Sequence, residues 1–475
     1  MTSPWLDRPS KPVQDPLNPE QPVDDLVVGA GLTGLATALM LARAGRDVLV
    51  VEARHVGAVT TGNTTGKVSL LPGTKLGSMR HSQSDRVCRA YLDACEEGQQ
   101  WLLRFCADHG VDVDRRDAIT YAASPDEIGT ARRELEASQA LGLDTHWVDS
   151  MDVPFPFHGG VVLPDQAQID PMPVLDALVD QIHEHGGRVH EGRRVVGASL
   201  TGTRRATLDD GTELTAKEIV LATGVPVLDR GLFFAKVEPK RSYALAFTGA
   251  AAPDGMFLSA GSAHSRSIRD AAGPDGSRRL LVGGEGHTVG RTDSERGHVD
   301  RLRQWTAEHF PGAMETHAWS AQDYSPHDGL PQMGKLPRGG GHIYMATGYD
   351  KWGMAAGIAA ARTISGQILG SKPSWATTIG RRITRPAGAA KIARINAGVG
   401  VAQVAQVAEG LRDHTFPKGS GESCTVTTVC THLGGALDWN DEEKSWDCPL
   451  HGSRFTADGD VLEGPATKPL RRRKD

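Results

Sequence analysis

The sequence predicts an α/β protein in three parts: a Rossmann-type parallel domain, an antiparallel sheet inserted into it, and a small all-β unit at the carboxyl end. Three observations carry this. Residues 23–54 read as strand, glycine-rich turn, helix and strand. Two later stretches, 188–224 and 239–290, are dominated by short apolar runs with turn residues between them. Half of the six cysteines fall in a short, turn-rich final segment. The 475 residues are 39% hydrophobic and 23% charged, enough apolar material for several cores. A formal net charge of −6 excludes a general affinity for polyanions, so nucleic acid is not an expected partner.

Taken in order, residues 1–22 form a Pro-rich leader without an apolar signal core, expected to be mobile at its first residues. The stretch Leu26 to Ala44 is apolar enough to imitate a membrane span. Gly29, Gly31 and Gly34 near its start and Arg43 near its end fit a strand, tight turn and helix better, so no membrane span is expected. Gly45 is placed to stop that helix. With no disulfide framework in the cysteine spacing, the chain reads as cytoplasmic. Residues 84–108 and 124–141 look like amphipathic helices. Asp170 followed by Pro171 makes an N-cap with proline at the first helical position, and Leu175, Leu178, Val179 and Ile182 then form one apolar face. Asp209–Asp210–Gly211 is a hairpin turn in the first β-rich stretch. Residues 342–369 read as strand, glycine-rich turn and helix.

The first chemical signal is Gly29-x-Gly31-x-x-Gly34 between a predicted strand and helix, with Glu52 at the end of the next strand. In that context Gly29 makes the tight turn and Gly31 lets a pyrophosphate approach the backbone. Gly34 lets helix and strand pack closely, the helix N-terminus offers its N–H groups to phosphate, and Glu52 accepts from a ribose. The motif alone fits FAD and NAD equally. Its place near the amino terminus, with no second copy downstream, favours FAD.

The second signal is Cys430-x-His432, then fifteen residues, then Cys448-x-x-His451. Two thiolates and two imidazoles on paired turns suit a [2Fe–2S] cluster with histidines on one iron. Tetrahedral zinc accepts the same ligand set.

The stretch VVGAGLTGLATALMLARAGRDVLVVEA resembles the amino-terminal signature of the FAD-dependent amino-acid and amine oxidases, the D-amino-acid oxidase, glycine oxidase and sarcosine oxidase superfamily. QIDPMPVLDALVDQIHEHGGRVHEG resembles the family's second FAD-domain helix, IVLATG its strand under the adenine half, and WSAQDYSPHDGLPQMGKL with HIYMATGYDKWGM its closing FAD contact. The resemblance implies cofactor contacts from the turn (Ala30, Leu32 and Thr33 between the glycines), from Ala53 and Arg54 beyond Glu52, and from Ala222, Thr223 and Gly224. It implies backbone contacts from Val195 to the adenine. A loop from Thr60 through Thr61, Asn63, Thr64 and Thr65 to Lys67 is implied to run beneath the pyrophosphate and flavin ring.

The turn Gly348-Tyr349-Asp350-Lys351-Trp352-Gly353, leading into Met354, joins physics to that resemblance. Its helix N-terminus would face the flavin edge where negative charge develops, and Lys351 would add a full charge. A solvated turn lysine and an ordinarily packed Trp352 are the competing readings. No cysteine stands where some sarcosine oxidases link flavin covalently, so FAD is expected to be non-covalent.

THLGG, DWNDEEKSWDCPLHGSRF and GDVLEGPATKPL look like a Rieske domain, which sets zinc aside. Respiratory Rieske proteins carry a disulfide between the cluster loops; the matching positions here are Gly435 and Leu450. Their sulfur-bonding tyrosine is matched by Phe455, while Ser453 is kept. The lead-in to Cys430 is short, so the base of the domain is expected to be trimmed or supplied by the flavin part.

These readings divide the chain into a leader (1–22), a discontinuous FAD-binding domain (23–83, 155–236, 323–372), a substrate domain (84–154, 237–322), a helical linker (373–413) and a Rieske domain (414–475). The expected function is a flavin dehydrogenase. It takes a hydride equivalent from a C–N bond of a small-molecule substrate, an amine or amino-acid-like compound, and passes electrons singly through the cluster to an external acceptor. Arg241, Tyr243 and His287 on the β-rich insert are the candidate substrate residues: Arg241 to clamp a carboxylate, His287 as a base. An exposed strand arginine and a loop histidine are the plainer alternatives. Two other classes compete, an electron-transfer module serving a partner protein and a Rieske oxygenase. The oxygenase needs a two-histidine, one-carboxylate iron site, which the upstream sequence does not offer.

Overall fold

The computed structural model describes residues 1–9, 11–199, 204–228, 230–261, 264–273, 276–382, 388–399 and 426–472. The first sheet runs in the order Gln332–Lys335, Ile343–Thr347, Glu213–Leu221, Val23–Val28, Val48–Val51, Arg188–His190. All but the first of these strands are parallel. Such strands are covered on both faces, which is why the four residues of Val48–Val51 are apolar and buried. Helix Leu32–Arg43 packs between Pro171–Glu184 and Gly353–Ile368. Asp170 accepts from the Met172 amide at 2.9 Å, so the predicted cap forms as read, and Leu175, Leu178, Val179 and Ile182 are buried.

The second sheet has nine strands, ordered Met314–Pro326, Val237–Thr248, Arg278–Thr288, Arg266–Ala272, Met256–Ser259, Asp114–Tyr121, Gly160–Gln168, Lys67–Val68, with His146–Val148 beside Gly160–Gln168. It is antiparallel except where Met256–Ser259 runs parallel to Asp114–Tyr121. Helices Asp85–Asp108 and Ile128–Ala140 occupy the positions their periodicity predicts.

The leader departs from expectation. Ser3 is fully buried and Trp5 is 4% exposed. Trp5 Nε1 donates to Thr64 O at 2.8 Å, Ser3 Oγ to Gly62 O at 2.5 Å, and the Thr2 amide to Ala318 O at 3.1 Å. Within the loop at residues 60–66 the leader supplies the donors for the Gly62 and Thr64 carbonyls. The first residues are therefore pinned, not mobile.

Residues Ser374–Gly380 and 388–399 are helical; the remainder of the expected linker, from 400 to 413, and the first part of the terminal unit, to 425, lie outside the described residues. The terminal unit is a four-stranded antiparallel sheet of Asp438–Asn440, Ser445–Asp447, Arg454–Thr456 and Val461–Glu463. Among the described residues no helix is long and apolar enough to cross a membrane.

Candidate functional site

The three glycines of the first turn are needed for different reasons. Gly29 has φ +105°, and a Cβ there would lie 2.6 Å from Ala222 O. A Cβ on Gly34 would lie 1.9 Å from Gly29 O. Both positions are closed by backbone. At Gly31 a Cβ would meet only Thr61 Oγ1, at 3.2 Å, so the space above it belongs to something other than the protein. Glu52 accepts from the Ala30 and Arg54 amides at 2.8 and 2.9 Å, bracing the turn while each oxygen keeps a lone pair for a ribose.

From this turn a cleft of about 340 Å³ runs between the two large sheets. It brings together Gly29, Gly31, Leu32, Thr33, Glu52, Ala53, Arg54, Thr61, Asn63, Thr64, Thr65, Lys67, Val195, Ala222, Thr223, Gly224, Lys351, Trp352, Gly353, Met354 and Tyr243. Ala30, Gly34 and Gly348 stand behind its wall. The volume falls within the range of ligand sites. A second cavity of about 580 Å³ shares the wall made by Arg54, Asn63, Ala321 and Glu463.

The second turn is held under strain. Asp350 (φ +56°) and Lys351 (φ +67°) are consecutive non-glycine residues in the left-handed region, each costing roughly 1–3 kcal/mol unless the surroundings over-determine it. They do. Asp323 accepts from the Lys351 and Tyr324 amides, Lys75 Nζ pairs with Asp350 at 2.9 Å, Tyr349 Oη meets Thr33 Oγ1 at 2.8 Å, and Trp352 Nε1 donates to Ser69 O at 2.7 Å. The ammonium of Lys351 is thereby aimed at the substrate-side strands: a Cβ on Gly286 would lie 2.6 Å from Lys351 Nζ and 2.9 Å from Ser242 Oγ. Burial lowers the pKa of Lys351 while Asp350 and Asp323 oppose the shift. Burial, aided by the Arg269 charge, lowers Lys67 to about 7, and burial lifts Asp323 to about 6 against the pull of its two amide donors. Ser242 Oγ is buried in the cleft wall and has no hydrogen-bond partner among the described residues, so the wall offers an unused donor to whatever fills the space.

Two candidates lie elsewhere. Arg241 is 1% exposed, and its guanidinium is taken by Ser320, by Gln322 Oε1 at 2.8 Å, and by Glu443 and Glu463 at 3.2 Å each. Arg454 shares both acids and adds Asp447 at 3.0 Å. Arg241 is thus an interdomain anchor, unavailable as a carboxylate clamp. His287 sits behind Tyr243, with Nε2 3.1 Å from Tyr243 Oη and its ring stacked on His298 at 4.5 Å; burial pushes it down to about 4. A role as a base facing substrate does not fit that placement.

Arg194 and Ser265 line the cleft without having given a local signal; Asp323 and Tyr324 come from the stretch resembling the closing FAD contact, and Leu462, Glu463 and Gly464 from the terminal sheet, where no cleft contact was expected. Arg194 donates to Val461 O at 2.9 Å and Tyr324 Oη to Gly464 O at 3.2 Å. The terminal unit therefore roofs the cleft.

In that unit the thiols of Cys430 and Cys448 are hydrogen-bonded neighbours, and the rings of His432 and His451 lie 5.2 Å apart at 84°. Among the described residues no three such side chains converge on one point. The four candidate ligands lie as a sulfur pair and a nitrogen pair, the division that a cluster of two irons would require. Both imidazoles abut Phe234 of the large domain, His451 at 4.6 Å and His432 at 5.2 Å. A Cβ on Gly435 would lie 2.4 Å from Leu450 Cδ1, so the side chain of Leu450 fills the place between the two loops.

A nucleotide cleft roofed by a two-sulfur, two-nitrogen iron site defines a flavin and iron–sulfur oxidoreductase. The chain belongs to the FAD-dependent oxidoreductase family, whose model matches residues 24–367, and the Rieske [2Fe-2S] domain model matches residues 401–473. FAD and a [2Fe–2S] cluster are its cofactors. It is similar to YhfW of Bacillus subtilis (strain 168), named as a Rieske 2Fe-2S iron-sulfur protein, at 28% identity over 98% of this chain and 95% of that one. It is similar to gamma-glutamylputrescine oxidoreductase of Escherichia coli (strain K12) at 25% identity over 75% of this chain and 86% of that one. Its fold is like that of glycine oxidase from Geobacillus kaustophilus, with a TM-score of 0.64 at 17% identity, covering 76% of this chain and 99% of that one.

Proposed function

We propose that the chain dehydrogenates a small amine or amino-acid-like substrate at non-covalent FAD and delivers the electrons singly, through the cluster held by Cys430, His432, Cys448 and His451, to an external acceptor. One observation carries this reading: the cluster unit roofs the cofactor cleft, with residues 462–464 in its wall. The name of gamma-glutamylputrescine oxidoreductase supports an amine substrate.

When bound, FAD supplies hydride acceptance and the cluster one-electron acceptance. The chain does the rest. The Gly31 turn and the first helix N-terminus hold the pyrophosphate. The Gly353 helix N-terminus and Lys351 line the cleft and would supply positive charge to a flavin held there. Ser242, Ser265 and Ser267 line the cleft with hydroxyls, while Asp323 holds the second turn through the Tyr324 and Lys351 amides. Anaerobic titration with a panel of amines and amino acids tests the reading. The expected result is bleaching of the flavin by at least one of them, followed by the EPR signal of the reduced cluster. A flavin that stays oxidised with every amine, yet is reduced by a partner protein through the cluster, would transfer the assignment to an electron-transfer module.

A further inference from the structure

Gln322 lies on the long strand Met314–Pro326, directly opposite Arg241 in the register, and is 1% exposed. Its side-chain amide is fully committed. Oε1 accepts from Arg241 Nη2 at 2.8 Å, and Nε2 donates to Gly452 O at 2.7 Å and to Tyr324 Oη at 3.1 Å. Arg241 only donates and a carbonyl only accepts, so the amide has one possible orientation. Its backbone carbonyl accepts from Thr60 Oγ1 at 2.8 Å, at the start of the loop beneath the cofactor. Gly452 follows the cluster ligand His451 and has φ +80°. A Cβ there would lie 2.5 Å from Pro239 and 2.8 Å from Gln322 Nε2, so the ligand loop approaches as closely as a backbone can.

We propose that Gln322 is the positioning residue that sets the cluster loop against the cofactor cleft, with Arg241 as the group that aims it. Arg241 is fixed by Glu443 and Glu463 of the cluster unit, so the unit's own acids orient the amide that grips its ligand loop. Between Tyr324 in the cleft wall and His451 there are two hydrogen bonds and one peptide link. The inference rests on the proposed passage of electrons between the two cofactors, and its functional half stands or falls with that passage; the mechanical half does not.

The test uses the full chain loaded with both cofactors. Gln322→Leu keeps the volume and removes both donors. It should retain FAD, iron and sulfide, and leave the EPR spectrum and potential of the dithionite-reduced cluster unchanged, because no cluster ligand is touched directly. Amide hydrogen exchange at residues 450–453 should quicken about tenfold, the equivalent of one lost hydrogen bond. The rate at which the cluster is reduced after photoreduction of the flavin should fall about tenfold or more. Gln322→Glu keeps the bond from Arg241 but presents an oxygen to Gly452 O, and the same quickening is expected if Gln322→Leu does not fold. Wild-type exchange at 450–453 in the variant that folds would overturn the proposal, as would a shifted cluster potential, which would mean that Gln322 acts on the cluster itself. If the wild-type cluster is never reduced from the flavin, the functional reading fails, and the exchange result alone then judges the positioning role.

Discussion

Gly31 and Gly34 differ by what a single methyl group would meet. Gly31→Ala meets one rotatable hydroxyl, whereas Gly34→Ala drives into the Gly29 carbonyl. Gly31→Ala is therefore expected to fold with a near-native thermal midpoint, keep its cluster, and purify with at least tenfold less FAD; Gly34→Ala should fail to accumulate as soluble protein. Flavin released by acid precipitation, measured against iron, separates the two. A Gly31→Ala protein with full flavin would remove the turn from the binding site. The glycine spacing was legible because its chemistry is local, three backbone positions within six residues. Arg241 was not. Its partners Glu443 and Glu463 lie about 200 residues downstream, and nothing near the arginine distinguishes an anchor from a substrate clamp.

Among the elements, the strand Arg454–Thr456 and the residue before it bear on the cluster's potential. Ser453 Oγ accepts from the Ala466 amide at 3.0 Å, which leaves its proton free for the Cys430 sulfur. A hydrogen bond to sulfur favours the reduced cluster. Ser453→Ala should lower the potential by about 50 mV, taking the bond as about 1 kcal/mol and one electron per cluster. Redox titration followed by EPR reads this directly, and an unchanged value would show that the hydroxyl does not reach the cluster. Phe455 is fully buried beside Trp446 and supplies no such donor. Elements with a clean period were readable: the capped helix at 171–184 and the hairpin at 209–211. Within the β-rich stretch 239–290 the strand Arg266–Ala272 was not delimited, and Met314–Pro326 was not read as a strand, because their alternation is broken by Arg, Asp, Gln and Ser. Those polar residues are satisfied by other segments, so the sequence period carries no trace of their burial.

At the scale of the whole molecule, the two halves are joined by a buried cluster of charges. Burial works against ionisation of Glu443 and Asp447, but the Arg241 and Arg454 charges outweigh it, and both carboxyls titrate below their ordinary values. Groups depressed in this way stabilise the folded state above the ordinary carboxylate pKa, and that contribution is lost as pH falls through the depressed values. The thermal midpoint followed at the cluster chromophore should hold from pH 7 to about 5 and drop below about pH 4. Arg241→Met leaves the acids with one cation and is expected to cost about 3–5 kcal/mol at pH 7. Differential scanning calorimetry checks both. A midpoint independent of pH down to 3 would show that the acids contribute nothing to docking. This junction was not legible: the short lead-in to Cys430 implied a terminal unit either trimmed or completed by the flavin part, and the lead-in itself, to residue 425, lies outside the described residues.

Residues 462–464 also impose an order of maturation. The cofactor cleft is walled by segments drawn from residues 28 to 354 and roofed by residues 462–464 of the last sheet, so the expected order is flavin first and the settling of that sheet second. Insertion of iron and sulfide fastens the two loops that rest on Phe234 and Gln322, and so bolts the roof down. A chain starved of iron is expected to lose its flavin on gel filtration sooner than a fully charged one, and equal retention by both would remove the roof from any role in holding it.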